Sequence, residues 1–169
     1  FARIRQQPVV PGTDPIAVFN RRFGEMLELV NAAPQATIAV AEGAVLGGGF
    51  GLACVADVTI AHKDASFGMP ETGLGIPPAQ IAPFVVERIG LSQARRLGVC
   101  GARFDGIEAV RLGLAHFAEA DDAAIEIRLA ATLKQILRCA PRAIANTKRI
   151  MLAVGKKSLA EVLDDAAAC

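Results

Sequence analysis

At 169 residues and 53% hydrophobic, with a formal net charge of +1, the chain can bury one substantial core and carries no charge excess suited to nucleic acid or an acidic membrane. It contains no Trp or Tyr, so base-stacking platforms other than Phe are absent. Cys54, Cys100, Cys139 and Cys169 are widely spaced without a CxxC pair, which excludes a disulfide frame or zinc site and reads as buried thiols of a reducing, cytoplasmic compartment.

No targeting segment is visible at the start, and Phe1 to Thr13 is expected to be a loop. Asp14-Pro15 is a helix start, an acidic N-cap followed by Pro at the first helical position. Ile16, Phe19, Phe23, Met26, Leu27 and Val30 recur at helical spacing, which predicts an amphipathic helix over Pro15 to Asn31. A β-type run at Ala36 to Ala41 follows Pro34, then three consecutive glycines, Gly47, Gly48 and Gly49. A short apolar helix is predicted over Phe50 to Ala56 and a strand over Val58 to Ala61. Gly43 to Ala56 is uncharged but is bounded by Glu42 and Asp57, short of the ~20 apolar residues a membrane span needs.

Beyond Pro78 the pattern turns helical. Helices are predicted over Ile81 to Ile89, Leu91 to Gly98 and Gly106 to Leu112, with a short strand at Ala115 to Phe117. Asp121 or Asp122 should cap a long helix with an apolar face of Ile125, Leu129, Leu133, Ile136 and Leu137. Pro141 opens a helix to about Val154, and Ser158 caps a final one ending near Ala168. Early strands interleave with helices and late helices dominate, so the class is α/β.

The chemistry concentrates between Gly47 and Pro78. Glycines let backbone N–H groups approach a ligand closely, and a helix N-terminus favours developing negative charge. The glycine run followed by a helix therefore has the character of half an oxyanion hole. Downstream, Glu71 is flanked by Phe67, Met69, Pro70, Leu74, Ile76 and Pro77. Apolar surroundings disfavour the charged form of a carboxyl group, which suits a residue exchanging a proton near neutrality. A dinucleotide loop fails because Gly-x-Gly-x-x-Gly from Gly47 would need glycine at Leu52, and no Gly-Lys-Ser/Thr makes a P-loop. No serine lies in a Gly-x-Ser-x-Gly elbow, and His62, Asp64 and His116 show no metal spacing. Asp57 is expected to tie backbone rather than titrate.

Gly47-Gly48-Gly49-x-x-Leu52-Ala53-x-x-x-Asp57 and Ala65-Ser66-Phe67-Gly68-x-Pro70-Glu71-x-x-Leu74-Gly75-x-x-Pro78 together resemble the crotonase superfamily of enoyl-CoA hydratases and isomerases. The resemblance implies a superhelix of ββα units over residues 1–118, and a C-terminal helical oligomerisation region over 119–169 that builds a homotrimer or hexamer. It implies that Glu71 exchanges the proton at Cα and that the Gly48 N–H holds the thioester oxygen. Gly47, Gly51, Phe67, Pro70, Leu74, Pro78 and Gln80 would line the acyl-CoA site. No metal or redox cofactor is implied, CoA arriving with the substrate. Related chains also carry an earlier strand region ending in a Ser/Cys-Ala-Gly type turn that supplies the second oxyanion N–H. No such turn occurs here, so the sequence reads as a partial chain.

Two departures from the common pattern narrow the expectation. The familiar hydratases place a second, water-activating glutamate where this chain has Gly51, and its loss is expected to enlarge the pocket beside Cα and Cβ. They also read Pro-Gly-x-Gly-Gly-Thr where this chain reads Pro78-Ala79-Gln80-Ile81-Ala82-Pro83-Phe84-Val85. That form resembles hydratases of 3-substituted glutaconyl-CoA thioesters, isohexenylglutaconyl-CoA of acyclic terpene breakdown before methylglutaconyl-CoA. Gln80 would then be placed to donate to the distal carboxylate. An enoyl-CoA isomerase or a non-catalytic scaffold on the same fold are the alternatives.

Overall fold

The computed structural model describes residues 14–169, so the loop expected over Phe1 to Thr13 lies outside the described residues. Helix α1 (Pro15–Asn31) begins where its local chemistry dictates, with the Asp14 carboxylate accepting the Ile16 N–H and Pro15 in the first turn. Its apolar face is only partly covered. Leu27 is fully buried, whereas Phe19 is half exposed.

The chain then climbs in repeating ββα steps. Strand β1 (Ile38–Ala41) joins one sheet, β2 (Ala44–Leu46) joins a second, and helix α2 (Gly48–Val55) returns the chain. Strands β3 (Val58–His62) and β4 (Ser66–Gly68) repeat the step, β3 running parallel to β1 and β4 parallel to β2. A 3-10 helix (Pro70–Leu74) leads to helix α3 (Ala82–Cys100), and strand β5 (Arg103–Phe104) pairs antiparallel with β4. After α4 (Gly106–Arg111), strand β6 (Phe117–Glu119) completes the first sheet in the order β1-β3-β6. The result is the expected α/β superhelix, two three-stranded sheets wound side by side.

Several boundaries moved for local reasons. Helix α2 starts at Gly48 rather than Phe50, so the glycine run is the helix's own first turn. The two helices expected after Pro78 are both present within α3 and meet at Gly90, whose φ of 76° and ψ of 156° are not helical, although the second runs on to Cys100. Strand β6 lies two residues beyond its expected start, and the boundary expected after residue 118 falls inside it.

Helices α5 (Asp122–Ile136), α6 (Pro141–Ala153) and α7 (Leu159–Ala167) follow, with Asp121 capping α5 and a full Ser158/Glu161 capping box opening α7. Helix α5 lies against β3 and β6. Its expected apolar face is only partly used, Ile125 being buried while Leu133 and Leu137 are exposed. Lys148 ties α6 to the core by donating to Asp57 Oδ2 at 2.7 Å and Gln35 O at 2.8 Å. Asp57 also accepts from Thr37 N–H at 2.7 Å and Thr37 Oγ1 at 2.9 Å, the backbone-tying role expected of it.

The cysteines depart from expectation. Only Cys54 is buried, on the core face of α2, where desolvation pushes its thiol up to about 12. Cys100, Cys139 and Cys169 are exposed.

Candidate active site

Gly47 is the hinge of the site. It caps α2 with φ 52° and ψ −114°, a conformation that disfavours any side chain, and donates its N–H to Gly68 O at 3.2 Å. The first bond of the helical ladder runs from Gly51 N–H to Gly47 O at 3.0 Å. The N–H groups of Gly48, Gly49 and Phe50 therefore stand ahead of the ladder, where the helix dipole favours negative charge.

Glu71 meets this helix end. Pro70 occupies the first turn of the 3-10 helix, where its missing N–H costs nothing. Gly75, at φ 78°, closes the turn by donating to Thr72 O at 3.1 Å, while Ile76 N–H donates to Glu71 O at 3.1 Å. Thr72 Oγ1 donates to Gly98 O and so fastens the turn to α3. Held this way, Glu71 Oε1 lies 2.9 Å from where a Cβ on Gly47 would sit. Its other oxygen, Oε2, is buried with no hydrogen-bond partner among the described residues. A buried unpaired carboxyl oxygen costs stability, so the fold maintains this group for something other than packing.

The remaining expected site residues divide. Gly48 stands at the helix start under the Phe23 ring, whose Cζ would be 2.9 Å from a Cβ there. Gly51 does not enlarge a pocket. A Cβ on it would meet Ile81 Cγ2 at 2.5 Å and Leu27 Cδ1 at 3.3 Å, so apolar side chains fill the space. Phe67 does not line an open site either. It is fully buried, stacked on Phe104 at 5.7 Å and edge-on to Phe50 at 6.4 Å, as part of the floor beneath α2.

Leu74 is 73% exposed and Ile76 53%, so these two do not close the apolar wall expected around Glu71. Pro78 lines an apolar groove of about 270 Å³ with Met69, Pro77, Val85, Val86 and Val99. Gln80 faces the other way, its amide oxygen against the Cα of Gly24 in α1.

Phe23, Ile81 and Gly24 are the neighbours that sequence reasoning missed. Phe23 and Ile81 were visible as helical apolar positions, but periodicity names a face and not the residue that face will touch.

The histidines are structural. His116 Nδ1 accepts the Thr59 N–H at 2.9 Å, and burial, with the Arg88 guanidinium beside it, holds its pKa below the usual histidine value. His62 Nδ1 accepts the Asp64 N–H at 3.1 Å. Among the described residues no group of three or more His, Cys, Asp or Glu gathers as a metal site, and no helix is long and apolar enough to cross a membrane.

The enoyl-CoA hydratase/isomerase family profile matches residues 9–168. Among solved structures, AtuE of Pseudomonas aeruginosa is 62% identical at a TM-score of 0.91, covering 93% of this chain and 61% of its own. An enoyl-CoA hydratase/isomerase from Marinobacter aquaeolei is 50% identical at a TM-score of 0.94, covering 99% of this chain and 64% of its own. A probable mitochondrial enoyl-CoA hydratase 2 of Arabidopsis thaliana is 36% identical over 129 residues, 73% of this chain and 41% of the relative. The chain thus spans roughly two-fifths to two-thirds of the length of these proteins.

Proposed function

The chain belongs to the enoyl-CoA hydratase/isomerase family, and on that premise we propose that it adds water across the Cα=Cβ bond of a branched, 3-substituted glutaconyl-CoA. The observation that carries the reading is Glu71, a carboxyl group with one buried, unpartnered oxygen at the N-terminus of α2. The thioester oxygen accepts the Gly48 N–H. As water oxygen bonds to Cβ, charge moves onto that oxygen, where a single N–H donor is worth about 2.7–4 kcal/mol. Glu71 takes a proton from the water and returns one to Cα, so H and OH are added and the enzyme ends unchanged. CoA enters as part of the substrate, and the scheme uses no metal or redox group.

Gly51 favours chemistry with one carboxylate. With Ile81 against its Cα, no second glutamate shares the site at that position. The acyl class rests on the Pro78 to Val85 stretch alone, since the space at Gly51 is filled. Isohexenylglutaconyl-CoA, an intermediate of acyclic terpene breakdown, is the favoured substrate and methylglutaconyl-CoA the second choice.

Exposed apolar residues on the C-terminal helices, Leu137 at 81%, Leu159 at 74% and Met151 at 69%, suit burial between copies in a homotrimer or hexamer. The four free cysteines suit a reducing cytoplasm.

A single carboxylate also suffices for an isomerase, which only moves a proton. Incubating the full chain with isohexenylglutaconyl-CoA, methylglutaconyl-CoA and crotonyl-CoA in ¹⁸O-water separates the two. Label in the product of the branched diacids supports the hydratase. Turnover of a 3-enoyl-CoA with no label in any product replaces it with the isomerase.

A further inference from the structure

Consecutive glycines open α2, and each meets different surroundings. Beside Gly47 stands the Glu71 carboxylate. Beside Gly48 stands the Phe23 ring, and the three atoms nearest the place of a Cβ there, at 2.9, 3.4 and 3.7 Å, all belong to it. Gly49 has nothing within 4 Å of the corresponding point among the described residues. Glycine loses more conformational freedom on folding than any other residue, so a first turn built from glycines has little of its own to fix it.

Phe23 reaches Gly48 because α1 lies in a groove that glycines leave on α2. Gly48 and Gly51 share one face of α2, and Phe23 and Leu27 share one face of α1. The ring meets the first glycine, and Leu27 Cδ1 lies 3.3 Å from the Cβ position of the second. Leu27 and Gly24 are both buried, so this is the anchored face of α1. A Cβ at Gly48 would displace the ring.

That contact falls at the donor itself. Gly48 N is one bond from the Cα that the ring covers, and its N–H stands ahead of the helical ladder, which begins with Gly51 N–H donating to Gly47 O. A donor stabilises developing charge well when it is held in place before the charge arises. A hydrocarbon ring also keeps water from one side of the amide, which strengthens a hydrogen bond made there.

We propose that Phe23 is a positioning residue for the reaction, a clamp carried by α1 that fixes the Gly48 N–H for the thioester oxygen. The inference rests on the reading that Gly48 is the oxyanion donor, and backbone order at Gly48 tests the clamp apart from turnover.

The full chain is labelled with ¹⁵N-glycine, and amide order parameters are measured alongside kcat and KM for isohexenylglutaconyl-CoA in the wild type, Phe23→Ala and Phe23→Leu. The Gly48 amide is expected to be rigid in the wild type, with an order parameter of about 0.85, and to fall toward about 0.6 in Phe23→Ala. Gly106, a buried glycine that opens α4 and donates its N–H to Lys63 O at 2.9 Å, should keep its order in all three. In Phe23→Ala kcat should drop about tenfold or more, short of the 10²- to 10³-fold of losing a donor outright, with KM little changed. Phe23→Leu, which keeps an apolar side chain at Gly48, should recover most of both losses. A Gly48 amide as rigid in Phe23→Ala as in the wild type, or a loss of order shared equally by Gly106, would overturn the clamp. So would a rise in KM alone, which would make Phe23 a substrate contact. If the wild type turns over no thioester while Gly48 alone loosens in Phe23→Ala, the hydratase reading fails and the clamp on the amide stands.

Discussion

The Glu71 carboxylate lies against the bare Cα of Gly47, its Oε1 2.9 Å from the point where a side chain there would begin. Gly47 is thus required twice, for its φ of 52° and for the room it leaves the acid. Gly47→Ala should cost about 1–3 kcal/mol from backbone strain. It should also push Glu71 off the helix end, lowering turnover beyond what the stability loss explains. Urea denaturation and hydration rates on the same preparation check both, and an alanine variant with wild-type turnover would separate Glu71 from the glycine turn.

Glu71→Gln keeps the shape of the side chain and removes its acid chemistry. General acid–base groups contribute about 10²- to 10⁴-fold, so turnover should fall by that order while acyl-CoA affinity is kept. Near-normal turnover would move the proton transfer to another residue.

Gly51 is a packing position. Gly51→Ala should destabilise the fold by roughly 1–3 kcal/mol, because the methyl group meets Ile81 Cγ2. Adding Ile81→Ala should recover part of the loss, a non-additivity that denaturation of the single and double variants measures. Independent, additive effects would mean that the two residues do not touch.

His116 should make stability depend on pH. Its folded-state pKa lies below 6.5 because burial and Arg88 oppose its charge, so between the two values the unfolded chain binds more protons. Its contribution is full above pH 6.5 and is lost as pH falls toward the folded value. The carboxylates held low by their partners, Glu108 by Arg111, Glu161 by Ser158 and Asp165 by Lys157, lose their contribution only at more acid pH, starting below about 4.5. Urea midpoints from pH 7.5 to about 5 should therefore decline in the wild type and stay flatter in His116→Gln.

Thiol labelling should divide the cysteines. Cys100, Cys139 and Cys169 are exposed and should react in the folded protein, whereas Cys54, with its thiol pushed up to about 12, should react only on unfolding. Fast labelling of Cys54 would contradict its place on the buried face of α2.

The sequence by itself determined what local chemistry controls. Asp14 and Pro15 place the start of α1, Asp121 and Ser158 place those of α5 and α7, and Gly90 breaks the helical run after Pro78. Each acts within a turn or so of itself, through a cap hydrogen bond or a backbone angle, so its effect is legible without knowing the rest of the chain. The ordered motif from Gly47 to Pro78 likewise carried the family. Only the tertiary structure decided what each of these residues faces. Glu71 meets Gly47 because β2 and β4 pair in register, Leu46 opposite Gly68, which brings the two segments following these strands together. Gly51 and Gly24 look alike in sequence, yet one is filled by Ile81 and the other receives the Gln80 amide. A glycine records that something must come close, and what comes close is set by how the superhelix stacks its turns.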